Sequence, residues 1–300
     1  MDHRLLEAAL AEVDRIRVAD APIPRLIHMT ASDPNRLPAE LRGNLDDIRA
    51  RNPGWELRVH DDADILSFVG RAYGPAVLAI QSLIDARYGA ARADCFRYLC
   101  LYAEGGVYLD LKSSTLVPLD TWLRADDRFI VSQWDNGPGA KYEDWGLQPE
   151  LRHVPGGEYQ QWFIASSAGN PFLRAVVEAV LRNIAGYAPL PALYGRYGVV
   201  RITGPIAYTF AIQPLLGRHP HRAVNVEQQG YVRYSIYDAE RGHYVAFKGH
   251  YSQLRDPIVP LSGVKLRVFE IARWGVETTM ALKARTRILL SRLRKAMQRR

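Results

Sequence analysis

Apolar residues recur along this chain in two alternating rhythms. Leu5, Leu6, Ala9, Leu10, Val13 and Ile16 share one stripe at helical spacing, so residues 1–20 read as an amphipathic helix that Pro22-Ile23-Pro24 stops. Arg25 to Thr30 is a short apolar run of strand type, followed by a loop at Asp33-Pro34-Asn35 and a helical pattern over 38–51. After the Asn52-Pro53-Gly54 turn, Trp55 to His60 alternates apolar with polar, which predicts a second strand. A β-α-β opening of this kind predicts an α/β fold with parallel strands.

Residues 61–104 read as mainly helical, and the last helix, 89–104, ends at Gly105-Gly106. Val107 to Leu111, residues 128–134 and Gln161 to Ser166 read as strands. The Gly/Pro-rich stretch 135–158 reads as a loop, and Pro171 to Ala185 as a helix. A Pro/Gly/Tyr-rich segment at 186–199 leads into Thr203-Gly204-Pro205 and a helix near 206–216. Residues 222–251 read as short strands and turns. A basic amphipathic helix is expected over 267–300, with Gly275 as its break point. The expected division is an N-terminal helix (1–21), one α/β domain (22–262) and a basic helical tail (263–300).

Composition sharpens this picture in three places. The apolar share is 48% and the charged share 24%, which excludes disorder of the whole chain. The net charge of +7 is local: residues 283–300 hold eight Lys or Arg and no acid, and without them 31 basic face 32 acidic residues, a net of −1. A basic tail on a near-neutral body with no nucleic-acid motif argues against nucleic-acid binding and for contact with an anionic membrane surface. The two cysteines, Cys95 and Cys100, stand five apart on one helix and point to different faces, which argues against a disulfide. No Cys/His cluster has structural-zinc spacing. The N-terminus lacks the apolar core of a signal peptide, and no run of 18 apolar residues predicts a membrane span. The expected location is the cytoplasm, peripheral on the inner face of the membrane.

The candidate chemistry lies in Ala91-Arg-Ala-Asp94 to Arg97-Tyr98, followed by Gly105-Gly-Val-Tyr-Leu-Asp110-Leu-Lys112. Asp94 and Arg97 stand at i, i+3 on one helix face, where on their own they would be an ordinary surface ion pair. The double glycine allows a sharp turn, and the next strand puts Tyr108 and Asp110 on one face. Asp110 falls where a strand finishes, the usual place for ligand groups in open α/β sheets. One short segment thus gathers two carboxylates, a guanidinium and a phenol. A sugar diphosphate needs such acceptors for its hydroxyls and such cations for its phosphates.

These residues, with Ile23-Pro-Arg-Leu-Ile-His28, Asn52-Pro-Gly-Trp-Glu56, Trp162-Phe-Ile-Ala-Ser166, Gly169-Asn-Pro-Phe172 and Thr203-Gly-Pro205, give the chain a resemblance to glycosyltransferase family 32 over residues 22–255. That family has a sugar-binding region with a D-x-D motif; bacterial capsular-polysaccharide synthesis proteins and fungal Och-one-type mannosyltransferases belong to it. The resemblance implies a GT-A-type, Rossmann-like α/β fold and retention of anomeric configuration. It implies that Asp94 and Arg97 hold the donor sugar and that Tyr108 and Asp110 contact ribose, sugar or metal. It further implies that His28, Met29 and Thr30 line the nucleotide pocket, that Gln161 faces the reacting sugar, and that His250 and Ser252 close over the diphosphate. Its partners would be a nucleotide-sugar donor (UDP- or GDP-linked) and a glycan or lipid-linked glycan acceptor.

One departure stands out. Asp110-Leu111-Lys112 has lysine where family members use a second acid to hold Mn2+ or Mg2+. Either Lys112 itself supplies positive charge to the phosphates, or Asp110 holds a metal with ligands from nearer the C-terminus and Lys112 turned aside. Lysine at this place also motivates a rival, a non-catalytic nucleotide-sugar or glycan-binding protein; a second rival is a protein-modifying glycosyltransferase effector. Trp134 and Trp145, at the borders of the 135–158 loop, are the candidate acceptor platforms.

Overall fold

The computed structural model describes residues 3–17, 20–188, 194–237 and 251–279. Helix α1 is His3–Val13, shorter than its apolar stripe. Next come β1 (Leu26–Thr30), α2 (Ala39–Arg51), β2 (Glu56–His60), α3 (Asp62–Ala72), α4 (Pro75–Gln81) and α5 (Gly89–Glu104). They are followed by β3 (Gly106–Leu109), β4 (Ser114–Thr115), β5 (Phe129–Val131), β6 (Phe163–Ser166), α6 (Pro171–Ala185), α7 (Gly195–Ile202), α8 (Pro205–Ile212), β7 (Arg222–Ala223) and β8 (Val232–Arg233). Residues 263–279 form a last helix, α9.

The main sheet runs in the order β2-β1-β3-β6-β5-β7. β1 lies parallel to both β2 and β3, as the opening pattern predicts, with Leu26 opposite Glu56 and His28 opposite both Arg58 and Tyr108. Beyond that opening the sheet is mixed: β6 runs antiparallel to β3 and β5. A two-stranded ribbon, β4-β8, stands apart from it. Two apolar clusters flank the sheet. Ile27, Met29, Val107 and Leu109 point to the α2 side, whereas Tyr108 and Ile164 point to the side of α3 to α8.

Local chemistry explains the element boundaries. Asp61 and Asp64 form a reciprocal capping box that starts α3. Asn170 accepts from the Phe172 amide at 3.0 Å ahead of Pro171 and so starts α6. Helix α6 then buries Phe172, Val176, Val177, Val180 and Ile184, each contributing about 1.5–3 kcal/mol. Helix α4 has no cap of its own; the Glu12 carboxylate of α1 accepts from the Ala76 and Val77 amides at 3.1 and 2.8 Å. That bond ties α1 into the core that holds Ala9 and Val13.

Three expectations need correction. Helix α7 lies where the Gly/Tyr-rich sequence reads as irregular, because the low helix propensity of Gly195 and Gly198 is overridden by packing of Val199 and Ile202. The helix near 206–216 ends at Ile212 and passes into a 3₁₀ turn at Gln213–Leu215. Helix α9 begins at 263 and passes Gly275 unbroken. His250 and the 283–300 tail lie outside the described residues.

Candidate active site

The site lies at the carboxyl ends of β1 and β3, where α5 crosses them. Its geometry depends on the double glycine. Gly105 and Gly106 both take positive φ, 72° and 104°. A Cβ on Gly106 would stand 2.6 Å from the Leu26 carbonyl oxygen, and one on Gly105 2.7 Å from the Ala168 amide. Glycine is therefore required here both for the turn and for the close approach of β3 to its neighbours. The turn folds α5 directly back over the strand that follows it.

That fold-back gathers the predicted residues around Arg97. Its Nη2 lies 3.1 Å from Asp94 and 3.0 Å from Asp110. Nη1 donates to the Gln161 carbonyl at 2.7 Å and also to the Gln161 side-chain oxygen. The guanidinium carbon sits 4.4 Å from the centre of the Tyr108 ring. Arg97 Nε has no hydrogen-bond partner. Asp94 and Arg97 are buried, and Asp110 is the carboxylate that reaches solvent, with its side chain 25% exposed. Burial pushes the Asp94 carboxyl up, against the pull of the Arg97 cation. Arg97 stays cationic: burial opposes its charge, but Tyr108, Asp110 and Asp94 outweigh it and raise its pKa. Burial raises the Tyr108 phenol to about 12, and its hydroxyl lies 3.1 Å from the Thr30 hydroxyl.

Three further residues complete this network. Thr203 donates to Asp94 at 3.1 Å. The Tyr98 hydroxyl, whose one proton serves either acceptor, lies 3.0 Å from the Thr203 carbonyl and 3.1 Å from Gln161 Oε1. The motifs Arg97-Tyr98 and Thr203-Gly-Pro205 are visible in the sequence, but no spacing rule joins positions more than a hundred residues apart. The third is Tyr234. Its phenol accepts from the Lys112 ammonium at 2.8 Å, and the ammonium lies 4.0 Å from the ring centre. Nothing in the short turns around 234 marks that tyrosine out.

The other expected residues are placed differently. Met29 is fully buried on the α2 side of β1, away from Tyr108. The His28 ring is also fully buried, with Nε2 3.2 Å from the Gly105 carbonyl and Nδ1 3.1 Å from His60 Nε2. Burial, with the nearby His60 and Arg58, lowers its pKa to about 3, so the ring is neutral. Its side chain therefore lines no open pocket; of the β1 trio, only Thr30 is part-exposed. Ser252 lies in a 3₁₀ turn, Tyr251–Gln253, that packs on α7. Trp134 is buried: its indole donates to Glu158 at 3.0 Å, and it packs among Tyr142, Trp145, Trp162 and Tyr234. It is a wall behind Lys112 rather than an open platform; Trp145 is half-buried.

His28, His60 and Cys100 also meet, a trio that sequence spacing does not reveal. The ring centroids of the two histidines are 5.4 Å apart with planes 21° apart, while the facing nitrogens are 3.1 Å apart. That combination is an in-line N–H···N bond between nearly coplanar rings, with Cys100 Sγ at 3.3 Å from the same nitrogen. Such a bond commits the proton of one nitrogen and the lone pair of the other, so in this arrangement neither facing nitrogen is turned to an ion. The trio is a hydrogen-bonded strut joining β1, β2 and α5.

The residues around Asp110 do not fit the divalent ion that a D-x-D motif implies. One oxygen of Asp110 accepts from Arg97, and the other lies 3.9 Å from the Lys112 ammonium. Mn2+ and Mg2+ need several oxygen ligands, and here a single carboxylate is flanked by two cations. Each pair of like unit charges 4 Å apart costs about 4 kcal/mol at the effective dielectric of such a site. Asp94, the other acid of the cluster, is buried and held by Arg97 and Thr203, so it is not turned toward an ion at Asp110.

The fold and this cluster define an α/β domain with a polar, charge-bearing site at the strand ends. Comparison with known proteins agrees. Residues 38–129, the span from α2 through Asp94, Arg97, Asp110 and Lys112, match the family model described as the glycosyltransferase sugar-binding region containing the DXD motif. Over this span the chain is similar to glycosyltransferase sugar-binding regions. The initiation-specific alpha-1,6-mannosyltransferase of Saccharomyces cerevisiae is 23% identical over 188 residues, 53% of this chain and 39% of the relative. Inositol phosphoceramide mannosyltransferase 1 of Schizosaccharomyces pombe is 32% identical over 126 residues, 41% of this chain and 37% of the relative. The chain thus spans about two fifths of the length of these curated relatives. Among solved structures, the PaToxG glycosyltransferase aligns over 90% of this chain and 92% of its own, at 13% identity and a TM-score of 0.48.

Proposed function

We propose that this chain is a GT-A-type hexosyltransferase that moves a sugar from a nucleoside-diphosphate donor to a glycan or lipid-linked glycan. The observation that carries the reading is the Asp94–Arg97–Asp110 cluster at the strand ends, inside the matched sugar-binding region. In this reading Asp110 accepts from hydroxyls of the donor sugar, and Asp94 holds Arg97 so that Asp110 cannot turn away. The bond from the anomeric carbon to the diphosphate breaks, and its electron pair leaves with the diphosphate. The acceptor hydroxyl bonds to that carbon on the same face and gives its proton to the departing phosphate oxygen. Asp110, with the buried Asp94 behind Arg97, tolerates the positive charge that builds on the sugar. Mannose is the first sugar to test, because the curated relatives are named mannosyltransferases. His250 and Ser252, the segment following β8, are proposed to close over the diphosphate. No part of this scheme uses Mn2+ or Mg2+, which the residues at Asp110 do not fit.

We also propose that the enzyme works at an anionic membrane surface, as a lipid-linked acceptor demands. Support comes from α9, which buries Phe269 against Tyr194 while its opposite face stays open. Val264, Val268, Ile271 and Trp274 lie on that face and are 76, 47, 71 and 70% exposed. Eight Lys or Arg follow in 283–300. Apolar side chains on an exposed helix beside basic sequence fit the boundary of an anionic bilayer.

The acceptor class is testable with labelled GDP- and UDP-hexoses given to the protein with a lipid extract, a polysaccharide fraction or delipidated protein. Label should appear in lipid or glycan. Label in protein alone would favour the protein-modifying rival instead.

A further inference from the structure

We propose that Lys112 is a built-in counter-cation, so that this chain holds the diphosphate of its donor without a divalent metal. The inference rests on the donor-site reading above and deepens it. Its ground is that the position of Lys112 is constructed, not incidental.

The segment after Asp110 is stitched to the segment around Tyr234. Ser114 and Thr115 of β4 pair with Arg233 and Val232 of β8. The Lys112 carbonyl accepts from the Ile236 amide at 2.8 Å, and the Ser113 hydroxyl donates to the Tyr234 carbonyl at 2.7 Å. With the Asp110 amide donating to the Trp162 carbonyl at 2.9 Å, these bonds fix the backbone on both sides of the lysine. Its buried side chain then lies along the Tyr234 ring, with the ammonium donating to the phenol oxygen. The ring in turn is held by edge contacts to Trp134, Trp145 and Trp162. A lysine stem has four rotatable bonds, and here packing holds it in one direction.

That direction is toward the one site carboxylate that reaches solvent, with Nζ 3.9 Å from Asp110 Oδ2. A metal held by a second acid at position 112 would place positive charge beside the same carboxylate. The ammonium supplies one positive charge there, fixed before the donor arrives, which favours the charge that builds on a departing diphosphate. Arg97 cannot do the same work, because both its terminal nitrogens are turned to Asp94, Asp110 and Gln161. Tyr234 is the positioning residue: it touches Lys112, not the donor.

The test is equilibrium binding of UDP, GDP, ADP and TDP to the full chain by calorimetry, in EDTA and in Mn2+, for wild type, Lys112→Met and Lys112→Asp. The wild type should bind one of these nucleotides equally well in both conditions and leave the Mn2+ paramagnetic-resonance spectrum unchanged. Lys112→Met should weaken that binding about ten- to a hundredfold in both conditions, the loss of a charge-assisted contact. Lys112→Asp should fail in EDTA, recover in Mn2+ and immobilise the ion. Wild-type binding that vanishes in EDTA, or wild-type protein that immobilises Mn2+, would overturn the inference while leaving the donor reading in place. Lack of binding to every nucleotide in both conditions would remove the donor reading and this inference with it. If Lys112→Met does not fold, the wild-type chelator comparison still decides.

Discussion

Asp94, Arg97, Tyr108 and Asp110 can be placed together from sequence because helical i, i+3 spacing, a double-glycine turn and strand alternation are local rules. Their partners cannot. Thr203, Tyr98 and Tyr234 join the site through contacts that span up to 122 residues of chain, and only the folded sheet creates those distances. His28 shows the opposite failure. Its place at the end of a strand suggests a pocket, but β1 alternates sides, and that side is filled by α5 with Cys100 and Phe96. Met29 faces the other cluster for the same reason. At Lys112 the sequence leaves two readings open. The ammonium lies 3.9 Å from Asp110 Oδ2, the direction that the proposed counter-cation role requires.

Among the elements, α5, the double glycine and β3 carry the site, and the His28–His60–Cys100 strut locks α5 to β1 and β2. The strut has a consequence for stability. Burial lowers the pKa of His28 from 6.5 to about 3 and also lowers that of His60. Between 6.5 and about 3 the unfolded chain therefore binds protons that the folded chain does not. This contribution is fully present above pH 6.5 and is lost as pH falls, by up to ~1.4 kcal/mol per pH unit for each fully titrating ring. Urea unfolding at pH 7.5, 6.5 and 5.5 should show midpoints that fall with pH, and His28→Gln should flatten that slope. A slope equal in the two proteins would show that His28 does not titrate on unfolding. The strands and most helices were legible because their apolar periods are strong. Helix α7 was hidden by its glycines, and the antiparallel direction of β6 because strand direction leaves no mark in a four-residue strand.

At the scale of the whole molecule, the polar site and the exposed apolar face of α9 are the two surfaces that the proposed transfer at a membrane requires. Among the described residues no helix is long and apolar enough to cross a membrane. The wild type should sediment with vesicles containing phosphatidylserine and should release as salt rises. Ile271→Ser with Trp274→Ser should lose most of that binding, because both side chains are about 70% exposed and support no part of the core. Equal sedimentation of the variant would assign the open face another role. The basic tail was visible in the charge count, whereas the exposed stripe was not, since sequence period alone does not say which of two faces is covered.

The central claim is that Asp110 and its Arg97-centred cluster bind and activate a nucleotide-sugar. The most direct measurement is release of nucleoside diphosphate from a panel of UDP- and GDP-hexoses by the wild type and by Asp110→Asn. One donor should be hydrolysed, and Asp110→Asn should slow its turnover at least ~100-fold. Hydrolysis undiminished in Asp110→Asn would contradict it.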